Sequence, residues 1–282
     1  MIKIFMFMIK SLFFFLLVSL NISAQNRLLT RSIGDFNNAS SFSFLSSGYF
    51  IVSDIQTNEI YKIDTLGTVN KETGGYGWQP GLFDTPSDIF SNELNSYICD
   101  KNNDRIVITD RELNFLSILK ASDNDASEGT YKQPTCFGIN NQSDFFILDS
   151  YNQRILKYNL RGDFIQQIGG FDSGEFYLTN PNKFALSPDG KLFVINENYI
   201  FVFDQFGSGL VKIEAPIKNA KIKIFSTFVT ISNDKDIYTL NLTDLKAGFS
   251  YNKLMNDVLI VEAIYTGNRL YVLTNTKIHF YE

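Results

Sequence analysis

Four segments of this chain repeat one another at a spacing too regular for chance. They are YFIVSDIQTNEIYKIDTLGTVNKETGG (Tyr49 to Gly75), SYICDKNNDRIVITDRELNFLSILK (Ser96 to Lys120), FFILDSYNQRILKYNLRGDFIQQIGG (Phe145 to Gly170) and KLFVINENYIFVFDQFGSGLVKIE (Lys191 to Glu214). The polar residues that close the first strand of each copy, Asp54, Asp100, Asp149 and Asn196, are separated by 46, 49 and 47 residues. Within each copy, alternating runs of about five residues are bounded by turn signals such as Ser187-Pro188-Asp189-Gly190, which is the signature of antiparallel hairpins. Four short strands per repeat make one blade, and blades must stack around an axis to bury both faces. A parallel solenoid would need shorter repeats, and no helical period of useful length follows the N-terminal segment.

Two degenerate copies, Lys221 to Tyr251 and Val258 to Glu282, keep the strand rhythm but lose the Asp and the Arg. The last copy holds only three strands. Its fourth is expected from the other end of the chain, because RLLTRSIGDF (Arg27 to Phe36) aligns with DFIQQIGGF (Asp163 to Phe171) through Ile33-Gly34 and Ile168-Gly169. Closing a ring in this way removes two exposed sheet edges. The expectation is an all-β, six-bladed β-propeller of four-stranded antiparallel blades, the last blade closed by the N-terminal strand; five blades would require the fifth copy to be an insertion. A hydrophobic fraction of 44% supplies the core, and 27 Phe with 14 Tyr suit strands better than helices.

Met1 to Gln25 has Lys3 and Lys10 ahead of an apolar run from Leu12 to Leu20, then Ser23 and Ala24. This order describes a secretory signal peptide over residues 1–25, cut after Ala24 or Gln25, with a single propeller domain over 26–282. The alternative is an uncleaved anchor. The apolar run is short for a bilayer, and no later segment is long and apolar enough to cross one, so no span is expected in the mature chain. A periplasmic or secreted location follows. There, Cys99 and Cys136 have the choice of a disulfide or two buried thiols.

Net charge is −5, and −7 without the first 25 residues, so phosphate backbones are repelled and nucleic acid is not an expected partner. With one histidine, His279, and two cysteines, sites built from several imidazoles or thiolates are excluded from this chain alone.

The stretches Gly74-Gly75-Tyr76-Gly77 with Gly81, Phe83 and Pro86, and Gly169-Gly170-Phe171 with Gly174, Phe176 and Pro181, carry a family resemblance. So do Asp100-x-x-Asn103-x-Arg105-Ile106 and Asp149-x-x-Asn152-x-Arg154-Ile155. Together they resemble the NHL-repeat family of six-bladed propellers, clearly from about Gly48 to Glu214. The resemblance implies fold more than function, since propellers of this type serve as binding platforms, receptor ectodomains and a few enzymes. The pattern departs in the first blade, where Glu59 holds the Arg position, and in the fourth, where the turn after Asn196 is shorter.

The repeated Asp and Arg read best as a latch: a carboxylate accepting backbone N–H groups at a strand end, met by an Arg across the hairpin. A zinc lyase of the peptide-amidating type is excluded by the lone His279. A Ser or Cys nucleophile lacks a base in any recognisable pattern. A calcium-dependent lactonase would need oxygens converging at the channel, whereas Asp54, Asp100 and Asp149 fall on second strands, away from the axis. No catalytic residue, metal ligand or cofactor is therefore assigned. Links between blades and the turns between second and third strands emerge on one face, which gathers Tyr76, Trp78, Tyr131, Tyr151, Asn152, Arg154 and Phe171, with Arg105 nearby. The expected ligand-binding residues are Tyr76, Trp78, Arg105, Tyr151, Asn152 and Arg154, while Phe83 and Phe176 fill grooves between blades. The function expected is a non-enzymatic binding or scaffolding module that meets a protein or glycan partner at the cell envelope. The alternative is a divalent-metal-dependent lactonase or related hydrolase of the propeller type.

Overall fold

A computed structural model describes residues 23–120 and 129–282. The expected targeting segment lies, up to residue 22, outside the described residues, as does the loop 121–128. Six sheets follow one another, each with antiparallel strands a to d in order from the axis outwards. The a strands are Ala39–Leu45, Pro86–Ser91, Pro134–Ile139, Pro181–Leu186, Lys221–Phe225 and Glu262–Tyr265. They touch in a closed cycle, each meeting the next and the sixth meeting the first. The protein is a six-bladed β-propeller.

Why the repeats form blades is visible in the registers. The first residue of strand a in blades one to four, Ala39, Pro86, Pro134 and Pro181, pairs with Asp54, Asp100, Asp149 and Asn196, and a bulge follows each pair. Proline is tolerated there because the first strand residue needs no ladder donor. Alternate residues of b and c strands then face opposite neighbours, and the described residues form six apolar clusters, one in each groove between blades. Phe83 is fully buried in the groove between blades one and two. Phe176 packs against Phe201 and Phe203, with ring centroids 6.0 and 5.7 Å away.

Closure uses the N-terminal strand, as the Ile-Gly alignment requires. Leu29–Ile33 pairs antiparallel with Ile278–Tyr281 and becomes strand d of blade six. Gly34 (φ +82°) and Gly169 (φ +72°) end equivalent strands, and a Cβ would lie 2.6 Å from Phe36 in one and 2.4 Å from Leu178 in the other. Only glycine satisfies both the conformation and the close approach. The seam between blades six and one is aromatic: Phe50 meets Tyr271 and Phe280 edge-on at 5.0 and 5.8 Å.

The sequence did not foretell one strand. Ser23–Arg27 runs parallel to Ser250–Leu254 and adds a fifth, outermost strand to blade five. Arg27 anchors it, with Nε donating to Asn252 Oδ1 at 2.8 Å and the guanidinium lying 5.1 Å from the Tyr265 ring centre. The N-terminus therefore covers the edge of one blade and completes the next. Deleting residues 27–36 should expose the edge of blade six, remove the Arg27 anchor of the blade-five strand and lower stability by several kcal/mol. An unchanged melting temperature would contradict this account of closure.

Candidate functional site

On the face formed by the links and the b–c turns, the repeated polar residue is a clamp. Asp54 accepts the amides of Asn37 and Asn38 on one oxygen and those of Gln56 and Thr57 on the other, at 2.6–3.2 Å. Those four donors stand in for the missing arginine at Glu59. Asp100 takes the Asp84 amide at 2.7 Å, Asn103 at 2.9 Å and Arg105 Nε at 2.6 Å. Asp149 takes the Lys132 amide at 3.0 Å, Asn152 at 2.8 Å and Arg154 Nε at 3.0 Å. Asn196, uncharged, accepts the amides of Thr179 and Asn180, each at 3.0 Å. Burial pushes the Asp100 carboxyl up, against the amide, Asn103 and Arg105 contacts that draw it down.

Two residues expected on the binding surface are internal to this clamp. Arg105 is buried, its guanidinium spent on Asp100 and on the carbonyls of Trp78 (2.6 Å), Gln79 (3.3 Å) and Leu82 (2.8 Å), so it has no face left for a partner. Tyr131 is buried too, its hydroxyl donating to the Leu119 carbonyl. Arg154 is mostly covered, reaching Gln167 and the Thr130 carbonyl besides Asp149, and Asn152 hydrogen-bonds Asp149. The aromatic residues stand out from this base. Tyr76 and Trp78 are each 74% exposed, Tyr151 67% and Phe171 92%. The link carrying the first two is held by Asn103, which donates to the Gly77 carbonyl at 2.9 Å, and by Arg105.

A second constellation lies on the axis. Ser41, Asp88, Cys136, Lys183, Lys221 and Glu262 occupy one register position on the six a strands, opposite Ser53, Cys99, Leu148, Ile195, Ser232 and Leu273. Lys183 donates to Asp88 at 2.7 Å and also to Glu262. Ser41 Oγ lies 2.7 Å from Asp88 and 2.8 Å from Glu262, donating to one of them at a time. Lys223, two residues beyond Lys221, sits 3.4 Å from Asp88 and 3.2 Å from Glu262. The Phe42 amide donates to Glu262 and the Phe137 amide to Asp88. Lys221 donates to the Val261 carbonyl at 2.9 Å.

Burial alone would raise the carboxyls of Asp88 and Glu262, but Lys183 and Lys223 outweigh it and hold both below the usual carboxylate range. Burial would lower Lys183, and the two carboxylates reverse that and hold it above the usual lysine value. Lys221 is lowered by burial. Asp88, Glu262 and Lys183 are thus fixed in their charged forms, which suits a structural ion network and not proton transfer near neutrality. Nor does the ring fit a divalent cation, since ammonium groups occupy the oxygens that would bind one. No group of three or more His, Cys, Asp or Glu side chains placed to hold a metal ion occurs among the described residues. His279 is on the third strand of blade six, its Nδ1 2.7 Å from Ser32 Oγ. Cys99 and Cys136 are both free and buried, and burial raises both thiols.

Sequence reasoning missed this ring. Blades two to four offered a signal, Pro86-x-Asp88, Pro134-x-Cys136 and Pro181-x-Lys183. The column changes residue type from blade to blade, and blades five and six lack the proline that would align Lys221 and Glu262.

Neither known protein families nor curated proteins match the sequence. The solved structures do. Streptogramin B lyase aligns over 89% of this chain and 96% of its own, with 11% identity and a TM-score of 0.62. An inactive virginiamycin B lyase from Staphylococcus aureus, bound to quinupristin, aligns over 86% and 80%, with 13% identity and a TM-score of 0.59. A protein assigned as a gluconolactonase aligns over 89% and 91%, with 12% identity and a TM-score of 0.63. The likeness establishes the fold alone.

Replacing Lys183 with Met should cost about 3–5 kcal/mol, because two buried carboxylates lose their shared partner; chemical denaturation measures it. The carboxyls titrate lower in the folded than in the unfolded chain. Their contribution is therefore complete above the unfolded value of about 4 and lost as pH falls through the folded values. Melting temperature should drop on acidification from about pH 7 to about pH 3, and Glu262→Gln should flatten that drop.

Proposed function

We propose that the chain is an exported propeller of the NHL type, acting as a non-enzymatic binding or scaffolding module at the cell envelope. It presents the face of links and b–c turns to a protein or glycan. The observation that carries this reading is the pinned link: Tyr76 and Trp78 stand 74% exposed on backbone that Arg105 and Asn103 hold from beneath. Large aromatic side chains on a loop already fixed in place lose little freedom when a partner covers them, which is where binding energy concentrates. Tyr151 extends the surface on the b–c turn of blade three. Arg105 serves it as a positioning residue. Arg154 and Asn152 do the same for the turn that carries Tyr151, through Asp149.

Retention of a partner from envelope extract should fall at least about tenfold for Trp78→Ala, Tyr76→Ala or Tyr151→Ala, each replacing an exposed side chain that the fold does not need. Equal retention by all three variants would mean that this face is not the one used. Arg105→Ala should both loosen the link and destabilise the fold by about 3–5 kcal/mol, since buried Asp100 loses its cation.

A second reading, a divalent-metal-dependent lactonase or related hydrolase, is favoured by the likeness to lyases and to the assigned gluconolactonase. The ammonium groups on the axis oppose its metal site. Lactone or ester turnover, together with a melting temperature raised by Ca²⁺ and reversed by chelator, would support it over the binding module.

A further inference from the structure

The b–c turn of blade four interrupts the rim. In the other five blades four residues join strand b to strand c, between the pairs Asp54–Glu59, Asp100–Arg105, Asp149–Arg154, Ser232–Ile237 and Leu273–Ile278. In blade four only Glu197 and Asn198 do so, between Asn196 and Tyr199. A cavity of 620 Å³ lies at this low point, on the face of links and b–c turns. It reaches from Lys101 and Ser150, on the turns of blades two and three, to Asn219 on the link entering blade five.

Its walls are side-chain amides. Asn180 on the link entering blade four, Asn182 on its inner strand, Asn198 and Asn219 all line the cavity and all are exposed. In other turns asparagine side chains are spent on local structure: Asn92, Asn140, Asn159, Asn233 and Asn241 each accept an amide of their own turn. Around the cavity they are not. The side chains of Asn180, Asn198 and Asn219 have no hydrogen-bond partner among the described residues. Asn182 uses only its Nδ2, which donates to the Ala220 carbonyl at 2.8 Å.

An amide offers donors and an acceptor side by side, and a pair of neighbouring hydroxyls does the same, so each satisfies the other. Charge gives no preference, because the lining holds one cation, Lys101, and one anion, Glu197. The apolar lining residues Pro181, Ile195 and Ala220 are all buried, which leaves no exposed anchor for a protein side chain but an apolar floor for the C–H face of a sugar ring. The walls are set before a ligand arrives. Asn196 Oδ1 accepts the amides of Thr179 and Asn180, Glu197 accepts the Thr179 hydroxyl at 3.1 Å, and the Ser150 hydroxyl donates to the Gln133 carbonyl at 2.6 Å. A ligand therefore orders little backbone on binding, and the volume is that of a small-ligand site.

We propose that this cavity binds an uncharged oligosaccharide, its hydroxyls held by Asn180, Asn182, Asn198 and Asn219. The inference rests on the reading of this face as a binding surface and narrows its partner to a glycan. Tyr151, which follows Ser150 on the adjoining turn, extends the saccharide site.

An array of defined oligosaccharides, with uncharged, uronate-bearing, sulfated and amino-sugar members, tests the proposal when probed with the labelled propeller. Calorimetry on the tightest uncharged member then gives its affinity. Uncharged members should be retained, and the affinity should change less than about twofold between low and high salt, since no ion pair carries it. Asn180→Ala and Asn198→Ala should each weaken binding at least about threefold and together at least about tenfold. Both side chains are exposed and unbonded, so the melting temperature should stay at the wild-type value. Asn70→Ala, on the outer strand of blade one, should leave the affinity unchanged.

No retention of any uncharged member overturns the proposal, as does retention of charged members alone that high salt abolishes. Undiminished affinity in a double variant that melts like the wild type overturns it too. Failure here is distinct from failure of the face as a whole. A silent array, beside partner retention that still falls with Trp78→Ala, assigns the face to a protein and removes only the saccharide site. Saccharide binding that the double variant loses, beside retention indifferent to Trp78→Ala, keeps this cavity and removes the Tyr76–Trp78 surface.

Discussion

One buried charge network takes a group from every inner strand. Ser41, Asp88, Lys183, Lys223 and Glu262 come from blades one, two, four, five and six, and the Phe137 amide brings in blade three. A ring of radial sheets otherwise holds together only by apolar grooves between neighbours, each local to two blades. The axial network differs because each charge depends on partners several blades away, as Lys183 of blade four does on Asp88 of blade two and Glu262 of blade six. Desolvating these groups is costly, and the cost is met only when all six blades are in place. The pairing therefore favours the closed ring over open or partly stacked arrangements.

Around that centre, the repeated strand-end residue does a second job. Asp54, Asp100, Asp149 and Asn196 each accept amides from the incoming link, so the rim's backbone is fixed by the same residue that terminates strand b. The arginine adds reach: Arg105 grips three carbonyls of the link and Arg154 grips one. Where the arginine is missing, in blade one, the carboxylate compensates by taking two amides on each oxygen. The clamp thus explains why the pattern repeats, and blades one and four show that amides of the link suffice for it without the arginine.

The two ends of the propeller consequently offer different chemistry. One end is a rim of aromatic residues on clamped loops, the surface proposed above to meet a macromolecular partner. The other is a funnel with aromatic walls above the buried charge network. The lyases and the assigned gluconolactonase share the scaffold, and a shared scaffold does not carry a shared site.

The period of the repeats, the turn residues and the Ile-Gly pairs were enough to read off six blades, their strand order and the closing role of Leu29–Ile33, because hairpins are local and each repeat checks the next. The clamp was legible for the same reason: Asp100 and Arg105 are five residues apart and opposite one another across one hairpin. Three things were decided only in space. Arg105 became interior because the inter-blade link folds over it, and Tyr131 because it turns inward from its own link to the Leu119 carbonyl, contacts between segments that no periodicity encodes. The parallel strand Ser23–Arg27 depends on an edge of blade five more than 220 residues away. The axial ring joins six residues of five different types, spread from Ser41 to Glu262, and sequence shows such a set only when every inner strand is aligned on one register. Blades five and six had lost the markers for that alignment, so only the closed ring could bring their lysine and glutamate to the axis.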